Sequence, residues 1–211
     1  MSRDNILHKV RTALGRSAGQ GVVDVPPVRL QIPAVALEGR IASMRARIEA
    51  LAGITERVPD MAAAREYVAQ AILGKTAVAS NSPYLAECGI ATLPGVQCGI
   101  REVDTLREVC ARVDIGISSA DYVLSDTGTL VMIASPAEAR LVSLLPPAHL
   151  AVVPVERILT GLDELFTVLP RPAEQTSSMV LITGPSRTAD IEQILVRGVH
   201  GPGLLTVVIV G

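Results

Sequence analysis

Aromatic side chains are almost missing from this 211-residue sequence: they make up 2% of it, as three Tyr and one Phe, with no Trp. Hydrophobic residues still reach 49%, so the core has to be assembled from Val, Leu, Ile and Ala, the palette of a parallel sheet buried between helices. Cysteine is scarce too. Cys88, Cys98 and Cys110 are an odd number at wide spacings, with no Cys-x-x-Cys pair and no His at zinc-finger distance. That pattern argues against a disulfide framework, a structural zinc site or an iron–sulfur cluster held by this chain. Positive charge is not in excess either: Lys and Arg number 19 against 21 Asp and Glu, a formal net charge of -2. Nucleic acid and anionic membrane surfaces are therefore not expected as partners. No apolar run comes near the roughly 18 to 20 residues of a spanning helix, and Met1-Ser2-Arg3-Asp4-Asn5 is too polar to begin a secretory signal. No membrane insertion is expected, and a cytoplasmic location is.

What is present suits an α/β protein. Residues 2 to 15 place Ile6, Leu7, Val10 and Leu14 on one helical face, with Gly15 as the stop. Residues 16 to 36 mix Gly, Ser, Gln and Pro and suit an extended tether. The expected organisation is an amphipathic arm and linker over 1–36 and an α/β domain over 37–211. Helical spacing predicts helices over Leu37 to Leu51, Asp60 to Leu73, Ser82 to Cys88 and Asp104 to Ala111. Strands are predicted at Thr76 to Ser80 and Ile115 to Ser118, and this alternation indicates a mostly parallel open sheet flanked by helices. Ala120 to Leu124 reads as a turn or helical bend, Thr129 to Ala134 and Leu150 to Pro154 as strands, and Glu156 to Leu159 and Leu162 to Leu169 as short helices. Leu204 to Val210, apolar on both faces, reads as a central strand.

Two loops carry the candidate chemistry. The apolar run Met179 to Ile182 is broken by Gly184-Pro185, after which Ser186 or Thr188 can cap a helix with Asp190 and Glu192 in its early turns. Its first amides, with Arg187, would open beyond the carboxyl end of a strand and could hold a carboxylate or phosphate. Gly184, Ser186, Arg187 and Thr188 are thus candidate ligand-binding residues. The same residues suit a plain structural joint with Arg187 paired to Asp190 or Glu192. The loop lacks the Lys of a P-loop and the three glycines of a dinucleotide fingerprint. No flavin, nicotinamide or metal motif is visible, so no cofactor is expected. Nearby, Gly198-Val199-His200-Gly201-Pro202 sets the titratable His200 between glycines. The second loop gathers Asp121, Ser125, Asp126, Thr127 and Thr129 around Gly128. Asp126 is its candidate nucleophile or base, and Thr127, Gly128 and Thr129 are candidate ligand contacts; an ordinary turn is the alternative. Both loops are expected to face one crevice at the carboxyl ends of the strands.

The segments Asp121-Tyr122-Val123-Leu124-Ser125-Asp126-Thr127-Gly128-Thr129-Leu130, Gly184-Pro185-Ser186-Arg187-Thr188-Ala189-Asp190-Ile191-Glu192 and Gly198-Val199-His200-Gly201-Pro202 together resemble the lactate-utilisation (LUD) domain family. The Ile6 to Gly15 helix is similar to that family's start. The resemblance implies a NagB/RpiA/CoA-transferase-like α/β fold. It also implies a part in bacterial oxidation of L-lactate to pyruvate beside partner proteins that carry iron–sulfur clusters, without a settled reaction for this chain. Ser125-Asp126-Thr127-Gly128 is also similar to the Ser-Glu-Asn-Gly loop of CoA-transferases, with Asp for Glu and Thr for Asn, so its carboxylate reaches about one methylene less far. Two functions follow. One is a non-redox ligand-binding or assembly subunit that takes a small anionic ligand. The other is a stand-alone CoA-transferase-like or sugar-phosphate-isomerase-like enzyme using Asp126, with His200 as a further acid or base.

Overall fold

The computed structural model describes residues 2–19, 32–189 and 195–211. Contacts divide the chain into two units, Met1–Gln31 and Ile32–Gly211. The first contains helix α1 (Arg3–Ala13), opened by Ser2, whose hydroxyl accepts from the Asn5 amide at 3.4 Å. Most of the predicted linker, and Asp190 and Glu192 of the predicted capped helix, lie outside the described residues.

In the second unit α2 (Leu37–Ala50) leads into β1 (Ile54–Val58), α3 (Met61–Ala71) into β2 (Ala77–Ala79), α4 (Pro83–Glu87) into β3 (Val96–Gln97), and α5 (Val103–Cys110) into β4 (Ile115–Ser119). A hairpin of β5 (Tyr122–Leu124) and β6 (Thr129–Ile133) interrupts this alternation before α6 (Arg140–Leu144) and β7 (Ala148–Pro154). There follow β8 (Ile158–Leu159), α7 (Leu162–Val168), α8 (Pro172–Gln175) and β9 (Met179–Ile182), then the short pair β10 (Arg187–Ala189) and β11 (Leu195–Arg197), and finally β12 (Leu204–Val210).

Six strands form a parallel sheet in the order β1-β12-β7-β4-β2-β3, the open α/β arrangement expected, with β12 in its interior. Side chains alternate strictly between its faces. Val208 and Val210 join Leu150, Val152, Ile115 and Ile117 beneath Ala64 and Val68 of α3 and Leu85 of α4. On the other face Leu205, Val207, Ile209, Ala151 and Val153 meet Ile41, Met44 and Ile48 of α2. Both faces are covered, which is why these strands read as unbroken apolar runs. Helices α5 and α6 add Leu106, Cys110 and Val142 over Val78. Gly116 on β4 permits that approach: a Cβ there would sit 1.9 Å from the Val142 carbonyl oxygen. Cys88, Cys98 and Cys110 are free thiols, and among the described residues no helix is long and apolar enough to cross a membrane.

The remaining strands correct several expectations. A second sheet runs β8-β5-β6-β9. Tyr122–Leu124 is a strand rather than a bend, because the chain folds back on β6 as an antiparallel pair and buries Val123 and Leu124. Glu156 to Leu159 is not a helix; a 3-10 turn at Val155–Arg157 delivers Ile158 and Leu159 to pair with β5. The run at Met179–Ile182 joins β6 antiparallel at the sheet's edge instead of entering the parallel sheet. Strand β1 is an addition: an edge strand needs to bury only Thr55 and Val58, so Glu56 and Arg57 break the apolar pattern that would announce it.

The largest correction concerns the predicted helix after Gly184-Pro185. Arg187–Ala189 is extended and pairs antiparallel with Leu195–Arg197. The Ser186 amide donates to the Pro202 carbonyl at 2.8 Å, and the Gly198 amide donates to the Ser186 carbonyl at 3.0 Å. Residues 186 to 189 therefore present no helix N-terminus to an anion.

Candidate functional site

From β2 the chain moves to β3 on one side of the sheet, whereas from β4 it proceeds to β7 on the other. The carboxyl ends of β2 and β4 diverge at that point, where open α/β sheets leave a crevice for ligands. A cleft of about 260 Å³ lies there, walled by Ser82, Tyr84, Ser119, Asp121, Glu138 and Arg157.

Local structure fixes each of these groups. Ser135 beyond β6 turns the chain, its hydroxyl accepting from the Glu138 amide at 3.0 Å, and so brings Glu138 over the end of β4. There the Ser119 amide donates to Glu138 Oε1 at 3.1 Å. The other oxygen, Oε2, is buried without a hydrogen bond, as are the Ser80 hydroxyl at the end of β2 and the Tyr84 hydroxyl on α4. Burial pushes the Glu138 carboxyl up to about 7, against the pull of the nearby Ser80 and Ser82 hydroxyls and the Ser119 amide. Burial also raises Asp121, although the Ile133 amide donates to its Oδ2 at 2.6 Å and Arg157 lies near. The 3-10 turn after β7 supplies Arg157. Its Nη1 donates to Ser119 Oγ at 2.9 Å and to the Ala120 carbonyl at 2.8 Å, and its guanidinium stands 5.4 Å from the centroid of the Tyr84 ring. Among the described residues Nε and Nη2 of Arg157 make no hydrogen bond, so part of the fork is open to a carboxylate. Beside it Glu138 can give or take a proton near neutral pH.

Of the residues singled out from the sequence, Asp121 belongs to this cleft and the others lie elsewhere. Asp126 to Thr129 form the β5–β6 turn, where the Thr127 hydroxyl donates to Asp126 Oδ1 at 3.2 Å and the Thr129 hydroxyl donates to Thr127 Oγ1 at 2.8 Å. Thr129 spends its one proton there, so in its 2.8 Å contact with Thr183 it accepts. The two loops thus meet, but beside the end of α2. Gly128, at φ 69°, packs on Arg47 and Ile48, and Gly184, at φ 94°, on Leu51. The carboxylate of Asp126 is exposed and lies against Gly161. Thr188 is in the extended pair with β11.

Gly184, Ser186 and His200 line a separate cavity of about 190 Å³ with His149, Ile182 and Leu205; Asp126 and Arg187 are not in its wall. This cavity is at the amino ends of β7 and β12, where the Gly203 amide donates to the Pro147 carbonyl at 2.9 Å. The expected single crevice at the carboxyl ends is therefore not what these loops form. The exposed guanidinium of Arg187 donates to the Leu51 carbonyl. Arg187→Ala should lower stability by about 1 kcal/mol, the range for one exposed charge-assisted hydrogen bond. In a domain of this size that is a fall in Tm of roughly 2 to 4 °C, read from thermal melts.

Glu138 and Arg157 carry no motif. For Arg157 the available signal is positional, polar residues close behind an apolar strand run, as with Asp121 after β4 and Glu156-Arg157 after β7; Glu138 has no such signal. Among the described residues no group of three or more His, Cys, Asp or Glu side chains is disposed to hold a metal ion.

Known proteins resemble the chain along most of its length. The family model described as LUD domain matches residues 41–210. Lactate utilization protein C of an Exiguobacterium species is 38% identical over 108 residues, 49% of this chain and 47% of that protein. The chain thus matches about half the length of that relative. Lactate utilization protein C of Bacillus subtilis is 28% identical over an alignment of 225 residues that covers 95% of this chain and 92% of that one. A crystal structure of a DUF162 family protein from Deinococcus radiodurans superposes with a TM-score of 0.67 at 18% identity, over 84% of this chain and 99% of the other, which is a likeness of fold.

Proposed function

Because the chain belongs to the LUD domain family, we propose that it is a component of a bacterial lactate-utilisation system, acting as a non-redox subunit that binds a small 2-hydroxy or 2-oxo acid. Its partners in this reading are the iron–sulfur proteins that carry the electrons. The relatives named lactate utilization protein C support the pathway. One observation supports the site. Two buried polar atoms without a hydrogen bond, the Tyr84 hydroxyl and Glu138 Oε2, belong to residues of the cleft in which Arg157 keeps part of its guanidinium free. A buried polar group without a hydrogen bond is destabilising, and a ligand with a carboxylate and an adjacent oxygen would satisfy several at once. Arg157 would hold the carboxylate through parallel hydrogen bonds, and Glu138 would hold or accept the proton of the neighbouring hydroxyl.

Calorimetry with L-lactate and pyruvate tests this. Binding to the wild type should weaken roughly ten-fold or more in Arg157→Ala, the loss of a charge-assisted contact worth about 1.5 to 3 kcal/mol. Arg157→Lys should recover part of it. Unchanged binding in Arg157→Ala with loss in Arg187→Ala would move the anion to the Thr183 to Arg187 loop. Turnover of an acyl-CoA or phosphosugar by the isolated protein, lost in Asp126→Asn, would favour the enzyme reading instead.

A further inference from the structure

A third cavity, of about 450 Å³, opens between α5 and the chain that runs from Ser135 into α6. Its volume falls in the range of about 300 to 1,000 Å³ usual for sites that take small organic ligands. Ile100, Leu106, Ala139 and Leu141 give it an apolar floor that belongs to the cluster over Val78. At the rim Val103 and Leu144 remain 58% and 37% exposed, so the apolar lining reaches solvent.

The charges in its wall are all of one sign. Arg101, Arg107 and Arg140 line it and no Asp or Glu does, although acidic residues outnumber basic ones in the chain by 21 to 19. Unlike His149, whose buried ring meets the Ser118 hydroxyl at 2.7 Å, these three residues are exposed and within reach of an entering molecule. Nearby carboxylates do not neutralise them. Glu102 caps α5, accepting from the Asp104 and Thr105 amides at 3.1 and 2.6 Å, and Asp104 pairs with Arg107 at 3.0 Å. Among the described residues the guanidiniums of Arg101 and Arg140 make no hydrogen bond and no ion pair. Like charges gathered without counter-ions concentrate anions from solution. Two unpaired cations match the two negative charges that a phosphomonoester carries near neutral pH, and each fork fits its oxygens. A single exposed ion pair is weak, so the apolar floor has to supply part of the affinity. We propose that this cavity is a second ligand site, for a soluble phosphomonoester with an apolar body. Arg101 and Arg140 hold its head, and Ile100, Leu106 and Leu144 receive its body. The cavity shares Ser135 with the Glu138 cleft but none of that cleft's charged groups, so the inference is independent of the lactate reading.

The test is calorimetry and methyl NMR on the whole chain with three probes: 1-naphthyl phosphate, which has both parts, inorganic phosphate, the head alone, and 1-naphthalenemethanol, the body alone. 1-Naphthyl phosphate should bind roughly ten-fold or more tightly than either part, shift the Val103 and Leu144 methyl resonances to saturation, and weaken as salt rises. Arg101→Ala and Arg140→Ala should each weaken it roughly ten-fold, the loss of one charge-assisted contact, and Lys at either position should recover part of that. Sodium L-lactate should not displace it. Absence of binding, shifts confined to other methyls, equal affinity for inorganic phosphate, indifference to both arginine variants or displacement by L-lactate would overturn the proposal. Tighter binding at these methyls by an acidic leucine-containing peptide, or by vesicles containing phosphatidate, would overturn it too, since the groove would then be a docking surface.

Discussion

Glutamine in place of Glu138 is expected to stabilise the protein by about 3 kcal/mol at pH 8 while weakening lactate or pyruvate binding. The Glu138 carboxyl is buried, and burial lifts it from 4.5 to about 7. In the unfolded chain it loses its proton near 4.5, whereas the folded state retains the proton up to about 7. Between those values the folded state binds more protons, so stability falls as pH rises through that window, and the full penalty is present above about 7. The gap from 4.5 to about 7, at about 1.36 kcal/mol for each step of one, gives about 3 kcal/mol. Glutamine never ionises, and its Oε1 can still accept from the Ser119 amide. Thermal melts from pH 4 to 9 should show the variant higher by roughly 6 to 12 °C at pH 8 and level with the wild type near pH 4. A variant no more stable than wild type at pH 8 would mean that the carboxyl is not held in a low-dielectric site. A gain in stability with a loss of binding is the usual sign of a strained functional group.

The sheet was legible in the sequence because its strands are covered on both faces. Leu204–Val210 and Leu150 to Pro154 read as apolar runs for that reason, and helices α2, α3 and α5 follow from helical spacing near their observed bounds. The second sheet was harder. Met179–Ile182 has the same local composition as a parallel strand, and only tertiary context makes it the antiparallel partner of β6. The Ser186 to Glu192 stretch has a cap residue and early acids, yet backbone pairing to β11 and the tie from Ser186 to Pro202 outweigh that local preference over 187 to 189. For the candidate site the difficulty is different. Glu138 and Arg157 are 19 residues apart and belong to segments that look like ordinary surface turns. Parallel pairing of β2, β4 and β7 brings them together, and pairing order is not written in any short motif.

Acid should act through His149 in the opposite sense from Glu138. Burial lowers this ring from 6.5 to about 4, so in that interval the unfolded chain binds the proton and the folded state does not. Its contribution is fully present above 6.5 and is lost as pH falls toward 4, again about 3 kcal/mol for the gap. Over nearly the same interval the wild type regains about as much as Glu138 becomes protonated. The two groups should therefore offset each other in the wild type, and single substitutions should expose them. In urea unfolding between pH 4 and 8, Glu138→Gln should lose about 3 kcal/mol more than the wild type on acidification, and His149→Phe should lose about 3 kcal/mol less. The Ser119 amide that contacts Glu138 is in β4 beyond Ser118, but the two titrating groups line different cavities at opposite ends of the sheet. Their effects should then add, so the double variant should return to the wild-type slope. Carboxyls lowered by hydrogen bonds, such as Asp114 and Glu102, also contribute acid sensitivity, but equally in all four proteins, so they drop out of the comparison. A wild-type slope in Glu138→Gln, or a double variant unlike the wild type, would show that these two buried groups do not set the balance.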